Sequence, residues 1–231
     1  ENLWGDSVTG GEIQLTMQTD GTAEIVREKF AGVNIIETGK NIGFGAGHNL
    51  ALRSVQSDYH IFINPDIIVK EGEIEKMAAY MESHKDVVVM TPKIFNTDGT
   101  EQFVPKKRPK FKYIFAGRFE NKFKRCYKLR SEYTLRDVSV TEPTEIDCCS
   151  GCFMFCRTSA LLRVGGFDER YFLYFEDADL TRELQKYGKA MYVPDCSVTH
   201  AWHRDVTRSN KARKIALRSM FSYFGKWRGK K

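Results

Sequence analysis

Long hydrophobic runs are absent from this sequence of 231 residues. Charged residues interrupt every apolar stretch well before the about 20 apolar residues that a bilayer-spanning helix needs, so no membrane-spanning segment is predicted. Residues 1–11 contain neither the basic start nor the apolar centre of a secretion signal, so a cytoplasmic location is expected. Proline is scarce, at six residues, and no glycine or proline repeat occurs, which excludes collagen-like and low-complexity chains.

The cysteines do not have the spacing of a zinc finger, although six are present. Four of them share one apolar segment: Cys148, Cys149, Cys152 and Cys156. There we expect reduced thiols that behave as small hydrophobic side chains. Cys149 and Cys152 have the spacing of a metal or redox pair, but no second pair follows, so a metal site at the cysteines is not favoured.

Acidic residues are nearly missing from two segments that are rich in Lys and Arg. Segment 106–130 contains one acid, Glu120, and segment 209–231 contains none. In the second segment the cations alternate with Ile, Leu, Met, Phe, Tyr and Trp. A solvated basic face and docking to an anionic membrane both remain open, whereas nucleic acid is the least favoured partner and is not expected.

Hydrophobic periodicity alternates between strand-like and helix-like segments, which predicts an α/β fold. One domain is expected over 1–208, followed by a basic amphipathic helix or tail over 209–231. Predicted strands cover 33–37, 59–63, 87–90, 146–157 and 191–193, and predicted helices cover 49–55, 71–84, 158–164 and 177–187. Segment 96–145 lacks a clear long element and is interpreted as a variable connection or lid.

Two polar motifs follow predicted strands. The glycine-rich stretch 41–49 can bring backbone N–H groups close to a diphosphate, although a plain turn is the favoured explanation of this motif alone. Asn64-Pro65-Asp66 offers a carboxylate at the carboxyl end of a strand, where α/β sheets open their ligand sites. A strand-ending turn is the alternative for these three residues.

Two further motifs lie near the end of the chain. Glu176, Asp177 and Asp179 open a helix next to an aromatic run, so one of these carboxylates can serve as a general base, or all three can simply stabilise the helix start. His200 and His203 are three residues apart, a spacing that suits a metal pair or hydrogen-bonded packing.

Taken in order, these motifs resemble the family 2 glycosyltransferases of GT-A fold, particularly the rhamnosyltransferase-like branch. The matching segments are 19–22, 41–44 with Asn49, 64–66, 149–152, 165–169, 175–180 with Arg182, and His200. Each motif is common alone, but their order and gaps are specific, and they cover most of residues 19–203. The resemblance implies a mixed, mainly parallel sheet flanked by helices.

The resemblance also implies a role for each motif. Asp66 and His200 would bind Mg²⁺ or Mn²⁺ on the donor diphosphate, and Asp177, beside Glu176 at the catalytic centre, would be the base. The implied substrate-binding residues are Asn41, Gly43, Asn49, Asn64, Gly151, Cys152, Asp179 and Arg182. The family's apolar first strand has no counterpart in the opening Glu1-Asn2-Leu3-Trp4, so that strand is expected to be missing or altered.

The expected function is therefore inverting transfer of a sugar, such as rhamnose, from a nucleotide-diphosphate sugar. The acceptor would be a glycan or a polyprenyl-diphosphate-linked sugar in cell-surface polysaccharide synthesis. A peripheral position at the inner face of the membrane would follow, with the tail on the anionic surface. The alternative is a catalytically idle module of the same fold that binds a glycan or a nucleotide.

Overall fold

The computed structural model describes residues 13–17, 22–104, 106–201 and 210–229. Residues 1–11, residues 19–21, His203 and the last two lysines, to which the sequence analysis refers, lie outside these ranges. The strands are β1 Ile13–Met17, β2 Val33–Glu37, β3 Tyr59–Ile63, β4 Ile67–Val69, β5 Val87–Phe95, β6 Thr144–Glu145, β7 Phe153–Arg157 and β8 Lys189–His200. The helices are α1 Thr22–Lys29, α2 Phe44–Leu52, α3 Glu73–Ser83, α4 Phe111–Phe119, α5 Lys124–Thr134, α6 Thr158–Val164, α7 Glu176–Leu184 and α8 Asn210–Lys226. None of the helices in these ranges is long and apolar enough to cross a membrane.

The strands form two sheets. β1 and β2 pair in parallel, and a six-stranded sheet has the order β3-β7-β5-β8-β4, with β6 on β8. The expected mixed α/β architecture is confirmed, but the expectation of mainly parallel pairing is wrong for the described strands. Only β1–β2 and β5–β8 are parallel among them, because β7 runs antiparallel between β3 and β5, and β4 and β6 both return antiparallel along β8.

This topology collects several strand ends at one edge of the large sheet. β7 is antiparallel to both β3 and β5, and β8 is parallel to β5. The carboxyl ends of β3, β5 and β8 therefore meet the amino end of β7. Ile63 at the end of β3 pairs with Phe153 at the start of β7, and Ile67 pairs with His200 at the end of β8.

Both faces of the large sheet are buried. Side chains along a strand alternate between faces, and in β7 Met154 and Cys156 join one apolar cluster while Phe153 and Phe155 join another. The first cluster includes Leu161 of α6 and Leu184 of α7, and the second includes Met77 of α3. The sheet is thus covered by helices on each side, which explains the continuous apolar runs in its sequence.

The glycine-rich stretch is partly helical. α2 begins at Phe44, so Gly45 and Gly47 lie inside a helix where a turn was predicted. Gly45 is needed for close packing, since a Cβ there would lie 2.7 Å from Cβ of Phe167. Glycine at this position allows α2 to pack closely against Phe167, and hydrophobic periodicity does not reveal such a role.

Segment 96–145 contains two helices, α4 and α5, which were not predicted. The basic tail, expected as an amphipathic helix or tail beyond the domain, forms a long helix, α8, that packs on the domain. Tyr223 and Trp227 join a buried cluster with Tyr171 and Ala178, and the Ser219 hydroxyl donates a hydrogen bond to the Leu173 carbonyl at 2.8 Å. The inner face of α8 is therefore part of the core around α7.

Candidate functional site

Asp66 and His200 lie together at the edge where the strand ends meet. Asp66 follows β3, and its carbonyl accepts a hydrogen bond from the Ala201 amide at 2.9 Å. This backbone contact brings the two side chains together, with 3.2 Å between Asp66 Oδ1 and His200 Nε2. The structure thus joins two residues that the sequence separates by most of the domain.

The opposite nitrogen of His200 is held by Gln102. The Gln102 amide nitrogen donates to Asn96 Oδ1 at 2.8 Å and to the His200 carbonyl at 3.0 Å, so its Oε1 faces His200 Nδ1, also at 3.0 Å. Nδ1 must then carry a hydrogen, and in the neutral ring the lone pair of Nε2 faces Asp66. Asp66 Oδ1 and this Nε2 are both hydrogen-bond acceptors, and at 3.2 Å they require either a proton or a cation between them.

This donor set suits a divalent cation. An imidazole nitrogen and a carboxylate oxygen are both ligands of Mn²⁺, and a histidine ligand is usually fixed through its other nitrogen, as Gln102 does here. Among the described residues no group of three or more His, Cys, Asp or Glu side chains is placed to hold a metal. Asp66 and His200 would therefore supply two ligands, leaving room for diphosphate oxygens and water.

Asp177 lies at the start of α7, with both carboxylate oxygens accepting backbone hydrogen bonds. Oδ2 accepts from the Gly151 amide at 3.0 Å, and Oδ1 accepts from the Ala178 amide at 2.7 Å. Burial raises the pKa of Asp177, whereas these two N–H donors favour the ionised form. A half-buried, oriented carboxylate with a raised pKa has the properties of a general base.

Glu176 is buried next to Asp177 and behaves differently. Burial, followed by the charge of Asp177, raises the pKa of Glu176 to about 8. Its Oε2 is buried and has no hydrogen-bond partner among the described residues. The surroundings of Glu176 therefore favour its protonated form, whereas the two N–H donors on Asp177 favour the ionised form of Asp177.

The backbone in front of these carboxylates has an unusual conformation. Tyr174 and Phe175 both have a φ of 70°, in the left-handed region that non-glycine residues rarely adopt. Such conformations persist only where the surroundings enforce them, and they concentrate at functional sites. Thr181 connects the start of α7 to Cys149. Its hydroxyl donates a hydrogen bond to the Asp177 carbonyl at 2.7 Å and accepts one from the Cys149 amide at 3.1 Å.

Cys152 connects the two halves of the site. Its carbonyl accepts a hydrogen bond from the Asn64 amide at 3.0 Å, two residues before Asp66. Burial raises the pKa of its thiol to about 11, and the charges of Asp177 and Asp66 both add to that rise. Asn64, Gly151 and Cys152 thus lie between the candidate base and the candidate metal ligands.

Other residues expected at the donor site make contacts within the protein. The Asn49 amide donates to the Phe167 carbonyl at 2.8 Å, and its oxygen accepts from the Phe167 amide at 2.8 Å, so it fixes the loop at 165–169. Asn41 accepts a hydrogen bond from the Gly43 amide at 3.0 Å. Gly43 packs tightly, since a Cβ there would lie 2.7 Å from the Phe172 carbonyl oxygen. Of these, only the exposed Asn41 is open to a ligand.

Asp179 and Arg182 turn toward α8. Asp179 is only 1% exposed and accepts hydrogen bonds from Lys226 at 2.6 Å, Trp227 at 2.7 Å and Tyr171 at 3.2 Å. The Arg182 guanidinium lies over the Trp227 ring, 4.0 Å from its centroid. The structure therefore gives Asp179 an anchoring role in place of the expected substrate contact.

Four residues of this arrangement were missed by sequence reasoning: Gln102, Thr181, Lys226 and Trp227. Each acts through a contact between distant segments, which no local pattern indicates. For Lys226 and Trp227 the sequence has one signal, since they are the only adjacent Lys and Trp in the chain and stand directly before Arg228 and Gly229.

Comparison with known proteins identifies relatives over most of the chain. Residues 17–164 match the family model Glycosyl transferase family 2. The Escherichia coli K12 rhamnosyltransferase WbbL is 31% identical over 87% of this chain and 76% of its own length. The Mycobacterium tuberculosis N-acetylglucosaminyl-diphospho-decaprenol L-rhamnosyltransferase is 28% identical over 79% of this chain and 63% of its own.

Solved structures share the fold. A crystal structure of GalNAc-T7 with UDP, GalNAc and Mn²⁺ has a TM-score of 0.64 at 14% identity, over 95% of this chain and 42% of that chain. Staphylococcus aureus TarS 1-349 has a TM-score of 0.53 at 16% identity, over 93% of this chain and 62% of that chain. The expected GT-A fold is thereby confirmed.

Proposed function

This chain belongs to glycosyl transferase family 2 and is a glycosyltransferase, and from that premise we propose that it performs inverting sugar transfer with Asp177 as general base. The observation that carries the proposal is the pair of backbone hydrogen bonds that orient the Asp177 carboxylate, next to a Glu176 whose pKa is raised by burial and by the charge of Asp177. Where the environments of two neighbouring carboxyl groups favour different protonation states, the group whose ionised form is favoured is the candidate base.

The reaction is a single displacement. The acceptor hydroxyl oxygen attacks the anomeric carbon while Asp177 takes its proton, and the bond from that carbon to the diphosphate oxygen breaks. The nucleoside diphosphate leaves with the electron pair, and the sugar configuration inverts. The hydrogen bond from Gly151 holds Asp177 in place, since one oxygen fixed at 3.0 Å leaves the carboxylate with little freedom to turn.

Asp66 and His200 would hold Mn²⁺ or Mg²⁺ at the donor diphosphate. The bound metal would neutralise phosphate charge and so make the nucleoside diphosphate a better leaving group. Gln102 keeps the His200 ring oriented with Nε2 toward Asp66. The Mn²⁺ in the GalNAc-T7 structure supports a divalent metal in this fold.

The names of the two relatives suggest the substrates. Both are rhamnosyltransferases, and one acts on N-acetylglucosaminyl-diphospho-decaprenol. We therefore extend the proposal to a rhamnose donor and a polyprenyl-diphosphate-linked acceptor, in the synthesis of a cell-surface polysaccharide. Since nucleotide sugars are cytosolic metabolites, the enzyme would work on the cytoplasmic side.

Calorimetric titration with UDP, dTDP and GDP, each with and without Mn²⁺, tests the donor site. One nucleotide should bind in a metal-dependent way, and Asp66→Ala should remove that dependence. Asp195→Ala, an exposed acid outside the site, is the matched control and should bind normally. Equal binding without metal would refute the metal site. No binding of any nucleotide would refute the donor site and leave only the glycan-binding form of the idle module.

A further inference from the structure

The two basic segments of the sequence come together in space. The Phe111 ring of α4 stacks on the Phe224 ring of α8, with 3.8 Å between centroids and 18° between ring planes. Between the helices lies a groove of about 500 Å³. We call the solvent side of α4 and α8 around this groove the α4/α8 face. Its groove is lined by residues that include Pro109, Phe111, Arg182, Phe221, Phe224 and Arg228.

Large apolar side chains are exposed along this face. Phe111 and Phe115 on α4 are 56% and 65% exposed, and Leu217 and Phe221 on α8 are 52% and 65% exposed. The members of each pair are four residues apart, so they lie on the same side of their helix. Single exposed hydrophobic residues are common, but a cluster on neighbouring helices marks an interaction surface.

Cations surround these apolar side chains. Exposed Arg213, Lys214 and Arg218 lie on α8, which contains no acidic residue, and Lys110 and Arg118 flank the apolar pair of α4. These five have no ion-pair partner among the residues that the structure describes, unlike Lys107 and Lys112, which both pair with Glu132. The face therefore presents unpaired positive charge around exposed aromatic rings.

We propose that the α4/α8 face docks on the surface of an anionic bilayer, with Phe115 and Phe221 among the headgroups and the cations on the lipid phosphates. This combination of aromatic anchors and cations is typical of interfacial membrane binding. A second copy of the chain is disfavoured as the partner, because two such faces would set like charges against each other.

Docking in this way would place the candidate base near the membrane. Arg182 lines the groove, and within α7 it lies five residues, or about 7.5 Å along the helix axis, from Asp177. This arrangement deepens the proposed function, because it brings a lipid-linked acceptor to the site. Docking itself requires no turnover and stands apart from the reaction.

Co-sedimentation with vesicles, without donor or acceptor, tests the proposal. The whole chain should bind phosphatidylcholine vesicles that contain phosphatidylglycerol, bind pure phosphatidylcholine weakly, and dissociate as salt is raised. Phe115→Ser/Phe221→Ser and Lys214→Glu/Arg218→Glu should each weaken binding about tenfold or more. These exposed substitutions should leave the thermal unfolding temperature nearly unchanged.

Matched controls lie outside the face. Leu162→Ser removes an apolar side chain on α6 that is 57% exposed, and Lys70→Glu/Lys85→Glu reverses two exposed cations. Both variants should bind as the unaltered chain does. Failure of the unaltered chain to bind anionic vesicles would overturn the proposal, as would equal loss in the controls. Displacement from vesicles by single-stranded nucleic acid, or a dimer that the face variants abolish, would assign the face to another partner.

Discussion

Replacing Lys226 by methionine should destabilise the protein strongly, although Lys226 is part of no active-site motif. Its ammonium lies within 3.1 Å of three carboxylates, those of Asp179, Asp168 and Glu183, and its side chain is only 14% exposed. Asp179 is 1% exposed, so the variant would leave a buried carboxylate without its cation. Removing one partner of a buried ion pair costs about 3–5 kcal/mol.

We expect a loss near the lower end, about 3 kcal/mol, because Trp227 and Tyr171 still donate hydrogen bonds to Asp179. Burial raises the pKa of Asp179, and loss of Lys226 should raise it further. A carboxyl group whose pKa is raised by folding stabilises the protein at low pH and loses that contribution as pH rises. The destabilisation should therefore shrink as pH falls.

Urea unfolding followed by circular dichroism measures this effect. Lys186→Met, which removes an exposed cation paired with Glu183, is the control and should cost less than about 1 kcal/mol. The double variant Lys226→Met/Asp179→Asn should be more stable than Lys226→Met alone, since it removes the unpaired charge. A loss below about 1 kcal/mol for Lys226→Met, or a double variant that is less stable than the single one, would refute the anchoring role.

Two further predictions concern the site and its support. Gly166→Ala should lower the free energy of unfolding more than Gly165→Ala does, as measured by chemical denaturation. Both glycines have φ near 77°, so the backbone strain is the same. A Cβ at Gly166 would lie 2.3 Å from Asn49 Oδ1, whereas a Cβ at Gly165 would have no atom within 4 Å. Equal losses would contradict this packing argument. Glu176→Gln should flatten the decline of stability between about pH 4.5 and about pH 8, because burial raises the pKa of Glu176 from 4.5 to about 8 and only the folded state keeps this proton in that window. Urea unfolding at about pH 5 and at about pH 8 checks this, and parallel declines in both proteins would contradict it.

Local elements were predicted well where the pattern was strong. β2, β3 and α6 have the predicted bounds, because short apolar runs and the glycines after Val164 define them. α4 was missed because its apolar residues surround the helix without forming one stripe, and β7 is shorter than predicted because the apolar residues before it form a loop at the site.

The site was predicted from the order of its motifs and not from local physics. Resemblance to a family predicted that Asp66 and His200 lie together, and the structure has this contact. The hydrogen bond from Gly151 to Asp177 was not predicted, since Gly151 was expected at the substrate. Asn49 and Asp179 were also expected at substrate, but their partners lie in distant segments that fold against them. A polar residue in a motif can bind substrate, or it can stabilise the loop or helix that carries the site. Only the tertiary contacts distinguish these two roles.

The most direct test of the account compares sugar transfer and donor binding in the Asp177→Asn variant. Asparagine keeps the shape of the side chain but cannot take a proton, so the transfer rate should fall by about 10²–10⁴-fold, while nucleotide affinity stays within about twofold. Asp195→Asn, an exposed acid elsewhere, should transfer at the unaltered rate. Transfer by Asp177→Asn at close to that rate would contradict the assignment of Asp177 as the base.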